Sequence, residues 1–212
     1  MSDHRDVVTL AITGASGSAY GLRLLQCLLR AGRRVYLMVS NAGQVVIPLE
    51  TGLSVPPQPQ QMAAFLAQHY AAGEGQLRVF GREQWTSPVA SGSAAPGAMV
   101  ICPCSTGTLS AIAAGASNNL IERAADVAIK EGRKLILAVR ETPLSAIHLE
   151  NMLKLARLGV VIMPARPGFY HCPTRIEELV DFMVARILDQ LAIAHRLSER
   201  WGVSGEPEEP GS

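Results

Sequence analysis

The sequence predicts a doubly wound α/β fold, because short apolar runs alternate along the chain with segments of helical periodicity. Hydrophobic residues make up 48% of the 212 residues and charged residues only 17%, so the chain can bury a large core. Most of the apolar runs are continuous, as is typical of parallel strands covered on both faces. We expect a single domain with a Rossmann/flavodoxin-like parallel sheet over residues 1–203, and a disordered polar tail over residues 204–212.

The first half of the chain contains three predicted strands and three predicted helices. The strands are apolar runs rich in β-formers, and the helices follow from apolar spacing and from stop signals such as Gly52. In chain order the elements are a strand at 7–13, a helix at 19–29, a strand at 34–39, a helical stretch ending at Glu50, a helix at 61–70 and a short strand at 77–80.

The second half repeats this alternation after residues 87–97, a Ser/Gly/Ala/Pro-rich stretch that we expect to be a mobile loop. Gly132 and Gly159 follow helical patterns, where a C-terminal glycine is favoured. Residues 174–177 (TRIE) match a capping box, which predicts a long last helix running towards Trp201. The other predicted elements are a strand at 98–102, helices at 108–114 and 121–131, a strand at 134–139, a helix at 146–158 and a strand at 160–163.

Charge, hydropathy and cysteine spacing exclude several classes of protein. Nineteen basic residues face eighteen acidic ones without a basic stripe, which argues against a nucleic-acid binder. No apolar run reaches the ~18 residues of a membrane span, and the start MSDHRDVVTL lacks a signal-peptide core. The four cysteines form no CxxC motif, so we expect reduced thiols in a cytoplasmic protein. The low charged fraction favours a surface partly covered by other subunits.

Small and hydroxyl-bearing residues follow the first two strands, at the sheet edge where α/β proteins bind ligands. The first strand ends in TGASGS at residues 13–18, and such a loop lets backbone N–H groups approach an anion. Its spacing is GxxGxxxG rather than GxGxxG, and no acidic residue follows the second strand at Ser40. These features favour the phosphate of FMN, or another phosphate, over NAD. A tight turn without a ligand is the alternative.

The later strands bring further polar residues to the same edge. The sequence PCSTGT at residues 103–108 suits a phosphate or the polar edge of a flavin. A metal at Cys102 and Cys104 competes with this interpretation, but the histidines supply no matching ligand set. Arg140 and Glu141 follow the fifth predicted strand, where a surface ion pair is the alternative.

Three arginine and lysine side chains on predicted helices are candidates for binding an anion. Arg123 and Lys130 are seven residues apart and share one helix face, so they are candidates for a phosphate site or a solvated pair. Arg186 lies at the edge of the apolar stripe of the last helix, where it needs either a protein carboxylate or a ligand phosphate as partner.

Three segments together resemble the UbiX-type flavin prenyltransferases, and the resemblance covers most of residues 7–200. The related flavin-dependent cysteine decarboxylases typically carry an Asn-containing SANT-like segment where this chain reads CSTG at residues 104–107. That departure argues against peptidyl-cysteine decarboxylation. The segments are TGASGSAYGLRLL, PCSTGTLSAIAAGASNNLIERAADVAIKEGRKLILAVRETPLSAIHLENMLKLA and GVVIMPARPGFY.

The resemblance implies transfer of a dimethylallyl group from dimethylallyl monophosphate to N5 and C6 of reduced FMN, without a metal. The absence of a DDxxD motif agrees with metal independence. Prenylated FMN would serve a UbiD-type decarboxylase, in ubiquinone biosynthesis among other pathways. The resemblance also suggests a homo-oligomer, commonly a dodecamer. The alternatives are a flavin-dependent decarboxylase of an aromatic acid or cysteinyl peptide, and a non-catalytic flavin carrier.

The resemblance also assigns roles to individual residues. Ser16 and Glu50 would handle protons near flavin N5 and C6. Trp85 would cover the prenyl chain, since an aromatic face stabilises an allylic cation; Trp85 and Trp201 are otherwise hydrophobic anchors. The flavin contacts would be Gly14, Ala15, Ser16, Ser40, Ser105, Thr106, Gly107, Thr108 and Arg140. The prenyl phosphate would be bound by Tyr170 and Arg186 and, in part from a neighbouring subunit, by Arg123, Lys130 and Glu141.

Overall fold

The computed structural model describes residues 6–198, and the chain divides into two compact units, residues 1–165 and 166–212. The larger unit holds a six-stranded sheet in the order β3-β2-β1-β4-β5-β6, and all its pairings are parallel. The predicted fold class is thus confirmed, whereas the predicted domain limit at residue 203 lies outside the described residues. The strands are β1 (Val7–Ile12), β2 (Arg34–Val39), β3 (Leu77–Phe80), β4 (Ala98–Cys104), β5 (Lys134–Val139) and β6 (Val161–Pro164).

The sheet changes direction between β1 and β4, which pair with each other at its centre. The chain proceeds outward through β2 and β3, returns to β4, and proceeds outward on the other side. β1 is buried along its whole length, which explains its continuous apolar sequence. The crossover leaves a crevice beside the carboxyl ends of β1 and β4, where this fold class binds ligands.

Helices cover both faces of the sheet. On one face α1 contacts β1, β2 and β4, and Gly21 permits this approach because a Cβ there would lie 2.3 Å from the Cys102 carbonyl oxygen. On the other face buried residues of α4, α5 and α6 form one cluster with alternate strand residues such as Met38, Ile101 and Leu137. The helices are α1 (Ser18–Arg30), α2 (Asn41–Thr51), α3 (Pro59–His69), α4 (Thr106–Ala113), α5 (Leu120–Lys130), α6 (Ala146–Arg157) and α7 (Ile176–Gln190).

The end of β4 and the segment before β4 differ from what the sequence predicts. β4 continues through Pro103 to Cys104 instead of ending at Cys102, because a register shift between Ile101 and Cys104 accommodates the proline. The stretch 87–97, expected to be a mobile loop, contains two short 3₁₀ helices, Pro88–Ala90 and Gly92–Ala94, and buries Val89.

The smaller unit contains α7, and its ends also differ from the prediction. The helix begins after Arg175, and Glu178, rather than Glu177, accepts hydrogen bonds from the backbone N–H groups of Thr174 and Arg175. It ends at Gln190, because Ala192 turns to a positive φ of 54° and the helical pattern stops there. Trp201 lies outside the described residues.

Candidate functional site

A cavity of about 410 Å³ opens at the carboxyl edge of the sheet, beside the crevice between β1 and β4. Its size falls in the range of small-molecule sites. The ends of β1, β2 and β3 and the starts of α2, α4 and α5 form its wall. Five of the predicted flavin ligands line it, namely Gly14, Ser40, Ser105, Gly107 and Thr108.

Close backbone contacts build the side of the cavity formed by β1 and β2. A Cβ on Gly14 would lie 2.4 Å from the Ala42 Cβ, and one on Gly43 would lie 2.7 Å from the Ile12 carbonyl oxygen. Ser40 caps α2, its Oγ accepting a hydrogen bond of 3.0 Å from the Gly43 N–H. The small residues therefore bring the first turn of α2 directly against the end of β1.

The opposite side of the cavity is the start of α4. Ser105 is the N-cap, and its Oγ accepts a 3.2 Å hydrogen bond from the Thr108 N–H and lies 3.0 Å from the Thr108 Oγ1. The first N–H groups of a helix lack partners within that helix and attract anions. A Cβ on Gly107 would meet nothing within 4 Å, so the glycine leaves open space in the cavity wall. This side of the cavity fits a phosphate or a flavin edge.

Thr13 joins these two sides. Its Oγ1 donates a 2.8 Å hydrogen bond to the Pro103 carbonyl oxygen and accepts one of 2.9 Å from the Ser105 N–H. The side chain is 1% exposed. A buried hydroxyl group therefore connects the end of β1 both to Pro103 in β4 and to the N-cap of α4.

Glu50 is near the end of α2, and its carboxylate reaches the start of α1 beside Ser16. Its carboxylate accepts hydrogen bonds from the Gly17 N–H at 2.9 Å and from the Ser18 N–H at 2.8 Å. Burial raises the pKa of Glu50, but hydrogen bonds from the Ser16 side chain and from the backbone of Gly17 and Ser18 outweigh it and hold the pKa below its ordinary value. A protein carboxylate thus neutralises the N-terminus of α1.

Tyr20 lies near Glu50, and its sequence pattern did not predict a role in the site. Burial is the main cause of its raised pKa; Cys102 and Glu50 add to the increase, and Arg140 opposes it. These influences place the phenol within electrostatic range of both Glu50 and Arg140. The only signal in the sequence was its position in the first turn of the helix after the glycine loop.

The sequence did not predict that the start of α5 forms part of the cavity wall. The Leu120 N–H donates a 2.9 Å hydrogen bond to the Arg82 carbonyl oxygen, which joins α5 to the end of β3. Asn119 caps α5, and the Glu122 carboxylate, whose residue is 9% exposed, accepts hydrogen bonds of 2.7 Å from the Asn118 N–H and the Asn119 side chain. The NNLIE sequence, read as a helix N-cap, would have indicated this turn.

Arg123 and Lys130 share a face of α5, as their spacing predicts. The Arg123 Nε donates a 3.2 Å hydrogen bond to the Ala90 carbonyl oxygen, and a Cβ on Gly92 would lie 2.8 Å from the Lys130 Nζ. Both cations therefore face the 3₁₀ segment at residues 88–94. Arg123 also pairs with Asp126 at 2.9 Å, and Lys130 pairs with Glu131.

The remaining predicted ligands lie outside the cavity wall. Arg140 and Glu141 follow β5 at the same sheet edge, and the described part of the chain contains no ion pair between them. Ala15, in the loop after β1, and Thr106, the first residue of α4, do not line the cavity. Trp85 is 46% exposed between β3 and the 3₁₀ segment.

Tyr170 and Arg186 belong to the smaller unit. Tyr170 is 82% exposed. Arg186 was expected to need a protein carboxylate or a ligand phosphate; its side chain is 55% exposed, and its Nη1 lies 2.9 Å from the Asp189 Oδ2. Their role in binding a prenyl phosphate stays a prediction.

The cysteines and the helices give no sign of a metal centre or a membrane span. Burial raises the pKa of Cys102 to about 12 and that of Cys104 as well, which keeps both thiols protonated. Within residues 6–198 no three His, Cys, Asp or Glu side chains gather as a metal site would require. None of the helices in the same range has the length and apolarity needed to cross a bilayer.

Comparison with solved structures finds proteins described as UbiX or UbiX-like. The chain is 38% identical to a protein whose crystal structure is described as AnUbiX (PadA1) in complex with FMN and dimethylallyl pyrophosphate, with a TM-score of 0.82 over 93% of this chain and 97% of the other. It is also 38% identical to a dodecameric FMN-dependent UbiX-like decarboxylase from Escherichia coli O157:H7, with a TM-score of 0.79 over 89% and 96% of the two chains.

Comparison of sequences identifies the family. The chain is 61% identical over 195 residues to the flavin prenyltransferase UbiX of Pseudomonas aeruginosa, covering 92% of this chain and 93% of the relative. It is 47% identical over 202 residues to the flavin prenyltransferase UbiX of Halalkalibacterium halodurans, covering 95% and 96%. The family model described as Flavoprotein matches residues 1–188. The chain therefore belongs to the Flavoprotein family, and within it to the UbiX-type flavin prenyltransferases.

Proposed function

We propose that this chain is a flavin prenyltransferase that joins the dimethylallyl group of dimethylallyl monophosphate to N5 and C6 of reduced FMN and releases phosphate. The observation that carries the proposal is the cavity between the starts of α2 and α4, in a chain 61% identical to a flavin prenyltransferase. Its wall combines glycines at close contacts with the hydroxyl groups of Ser40, Ser105 and Thr108. Those groups suit a flavin and its phosphate.

The N-termini of α1 and α4 have different roles in this proposal. Because the Glu50 carboxylate already accepts from the first N–H groups of α1, a second anion there would be repelled. We infer that the flavin phosphate binds at the other side, near Ser105 and Thr108. The reacting edge of the flavin then faces Ser16 and Glu50.

Glu50 is the proton acceptor in this proposal. Its lowered pKa keeps it ionised at neutral pH, so it is ready to take a proton as the second bond to the flavin forms. Ser16, hydrogen-bonded to it, relays the proton or orients the reacting edge. Tyr20, which senses the charges of both Glu50 and Arg140, lies near the same carboxylate.

Cations take the place of a metal at the prenyl phosphate. Charge-assisted hydrogen bonds from arginine and lysine neutralise a monophosphate well. Arg123, Lys130, Arg140, Tyr170 and Arg186 are the proposed ligands, with Glu141 beside Arg140. Arg123 and Lys130 are on α5 and face the 3₁₀ segment rather than the cavity wall, so we propose that they act on the cavity of a neighbouring subunit.

We further propose that the enzyme is a homo-oligomer, of twelve subunits as in the E. coli relative. Exposed apolar side chains on α2 and α6 suit contacts between subunits, since large exposed apolar patches mark interaction surfaces. They are Val45, Leu49, Ile147, Leu149 and Leu153. The expected recipient of the product is a UbiD-type decarboxylase, with ubiquinone biosynthesis as its setting and the cytoplasm as its location.

Mass spectrometry of the flavin tests the proposal. The purified protein is incubated without oxygen with reduced FMN and dimethylallyl monophosphate, and the flavin is extracted. A gain of one five-carbon unit supports the transferase, and an unchanged flavin contradicts it. A parallel incubation with an aromatic acid measures CO₂ release, because two relatives of 38–40% identity carry decarboxylase names.

A further inference from the structure

We propose that Thr13 is a positioning residue that sets the distance between the loops after β1 and β4 and thereby the affinity for flavin. The inference rests on the proposed function, since it takes flavin as the ligand of the cavity. Thr13 lines that cavity, yet its hydroxyl group is engaged with protein atoms. It acts through its neighbours rather than through the ligand.

The hydrogen bonds of Thr13 fix its hydroxyl group completely. A hydroxyl group has one proton to donate, and here the Pro103 carbonyl oxygen accepts it at 2.8 Å. The oxygen in turn accepts from the Ser105 N–H at 2.9 Å. The Thr13 N–H donates to the same Pro103 oxygen at 3.2 Å. Two loops 90 residues apart in sequence are therefore held at one separation.

Ser105 transmits this constraint to the cavity wall. It is the N-cap of α4, and its Oγ receives the Thr108 N–H. Its own N–H has Thr13 as acceptor. Without that acceptor the cap is free to shift, and the first turn of α4 shifts with it. On the other side, Gly14 follows Thr13 directly and lies close to Ala42, since a Cβ on Gly14 would be 2.4 Å from the Ala42 Cβ.

Because Thr13 is buried, solvent does not compensate for the loss of its hydroxyl group. Thr13 is 1% exposed, so water has no access to replace the hydroxyl group. Thr13→Val keeps the shape but leaves the Ser105 N–H without an acceptor. Thr13→Ser keeps the hydroxyl group and removes only a methyl group. The pair of variants separates the hydrogen bonds from the packing.

The test measures the dissociation constant of FMN by fluorescence, together with kcat and the KM for dimethylallyl monophosphate. We expect Thr13→Val to weaken FMN binding roughly tenfold, a loss of the size of about one ordinary hydrogen bond, with little change in the KM for the prenyl donor. Thr13→Ser should bind FMN within about threefold of the wild type. Thr9→Val is the matched control, because Thr9 is equally buried in β1 and lies outside the cavity wall.

Each outcome decides the matter. FMN binding at wild-type strength in Thr13→Val, or equal weakening in Thr13→Ser and Thr9→Val, overturns the inference. If Thr13→Val does not fold, Thr13→Ala serves as the second variant lacking the hydroxyl group, with the same expectation. If the wild type binds FMN without prenylating it and Thr13→Val still loses affinity, the proposed function fails and the positioning role stands.

Discussion

Glu50→Gln replaces the charged cap of α1 with a neutral amide. Glutamine keeps one oxygen that can accept a hydrogen bond, but the negative charge next to the N–H groups of Gly17 and Ser18 disappears. Removing a capping interaction costs ~0.5–2 kcal/mol, and a charge at a helix N-terminus contributes ~0.3–1 kcal/mol. Because the Glu50 side chain is exposed to solvent and its amide replacement still accepts, we expect a loss of about 0.5–1 kcal/mol at pH 7.

The pH dependence of that loss identifies its origin. The pKa of Glu50 is lowered in the folded protein from its ordinary value of 4.5. A lowered pKa contributes stability that is present above the unfolded value and is lost as the pH falls through the folded value. The difference in stability between wild type and Glu50→Gln should therefore be constant between pH 6 and 8 and shrink below about pH 4.5.

Urea unfolding of both proteins across this range measures the difference. Glu74→Gln is the control, because it neutralises an exposed glutamate in the turn before β3 that lies at no helix N-terminus. A loss that stays the same at pH 7 and pH 4 would refute the electrostatic argument. The same variant should bind FMN normally and prenylate it at least tenfold more slowly, since the proton acceptor is missing; a wild-type rate would remove Glu50 from the mechanism.

Three further predictions concern the ligands. Arg186→Ala and Tyr170→Phe should raise the KM for dimethylallyl monophosphate, by about tenfold for Arg186→Ala, and leave FMN binding unchanged in a titration; weaker FMN binding alone would contradict the assignment. Gly107→Ala should weaken FMN binding without lowering the Tm, because its Cβ enters open cavity space. Gly14→Ala should lower the Tm, because its Cβ would lie 2.4 Å from the Ala42 Cβ. Equal Tm values for the two variants would contradict this prediction. EDTA should leave the turnover rate unchanged, and a loss that Mg²⁺ restores would overturn the metal-free mechanism.

The strands were predictable because burial on both faces leaves no alternative to a continuous apolar run. β2 and β5 lie at the predicted bounds for that reason, and β3 lies at its predicted bounds although Arg78 within it is exposed. The glycine loop and the serine at the end of β2 were also predictable, since the requirement for small residues at a close βα turn is local. The ends of α2, α5 and α6 followed from Gly52, Gly132 and Gly159, which adopt positive φ.

What escaped prediction depends on contacts between distant segments. Pro103 reads as the end of a strand, and only pairing with β5 carries β4 to Cys104. Asn119 and Glu122 read as ordinary polar residues of a helix start, and only the sheet order brings them to the cavity. Ala192, an ordinary helix former, ends α7 at a positive φ. Each of these features is decided by tertiary structure that overrides the local pattern.

The two helix starts at the sheet edge explain why this loop departs from the dinucleotide fingerprint. In a GxGxxG turn the first helix binds the pyrophosphate at its own N-terminus. Here Glu50 neutralises that N-terminus, so we propose that the phosphate of the ligand takes its donors from the start of α4, where Ser105 is the N-cap. The group beside the glycine loop is therefore the Glu50 carboxylate rather than a phosphate. A redox enzyme that only holds a cofactor has no need of that group, whereas a transferase that removes protons from its flavin does.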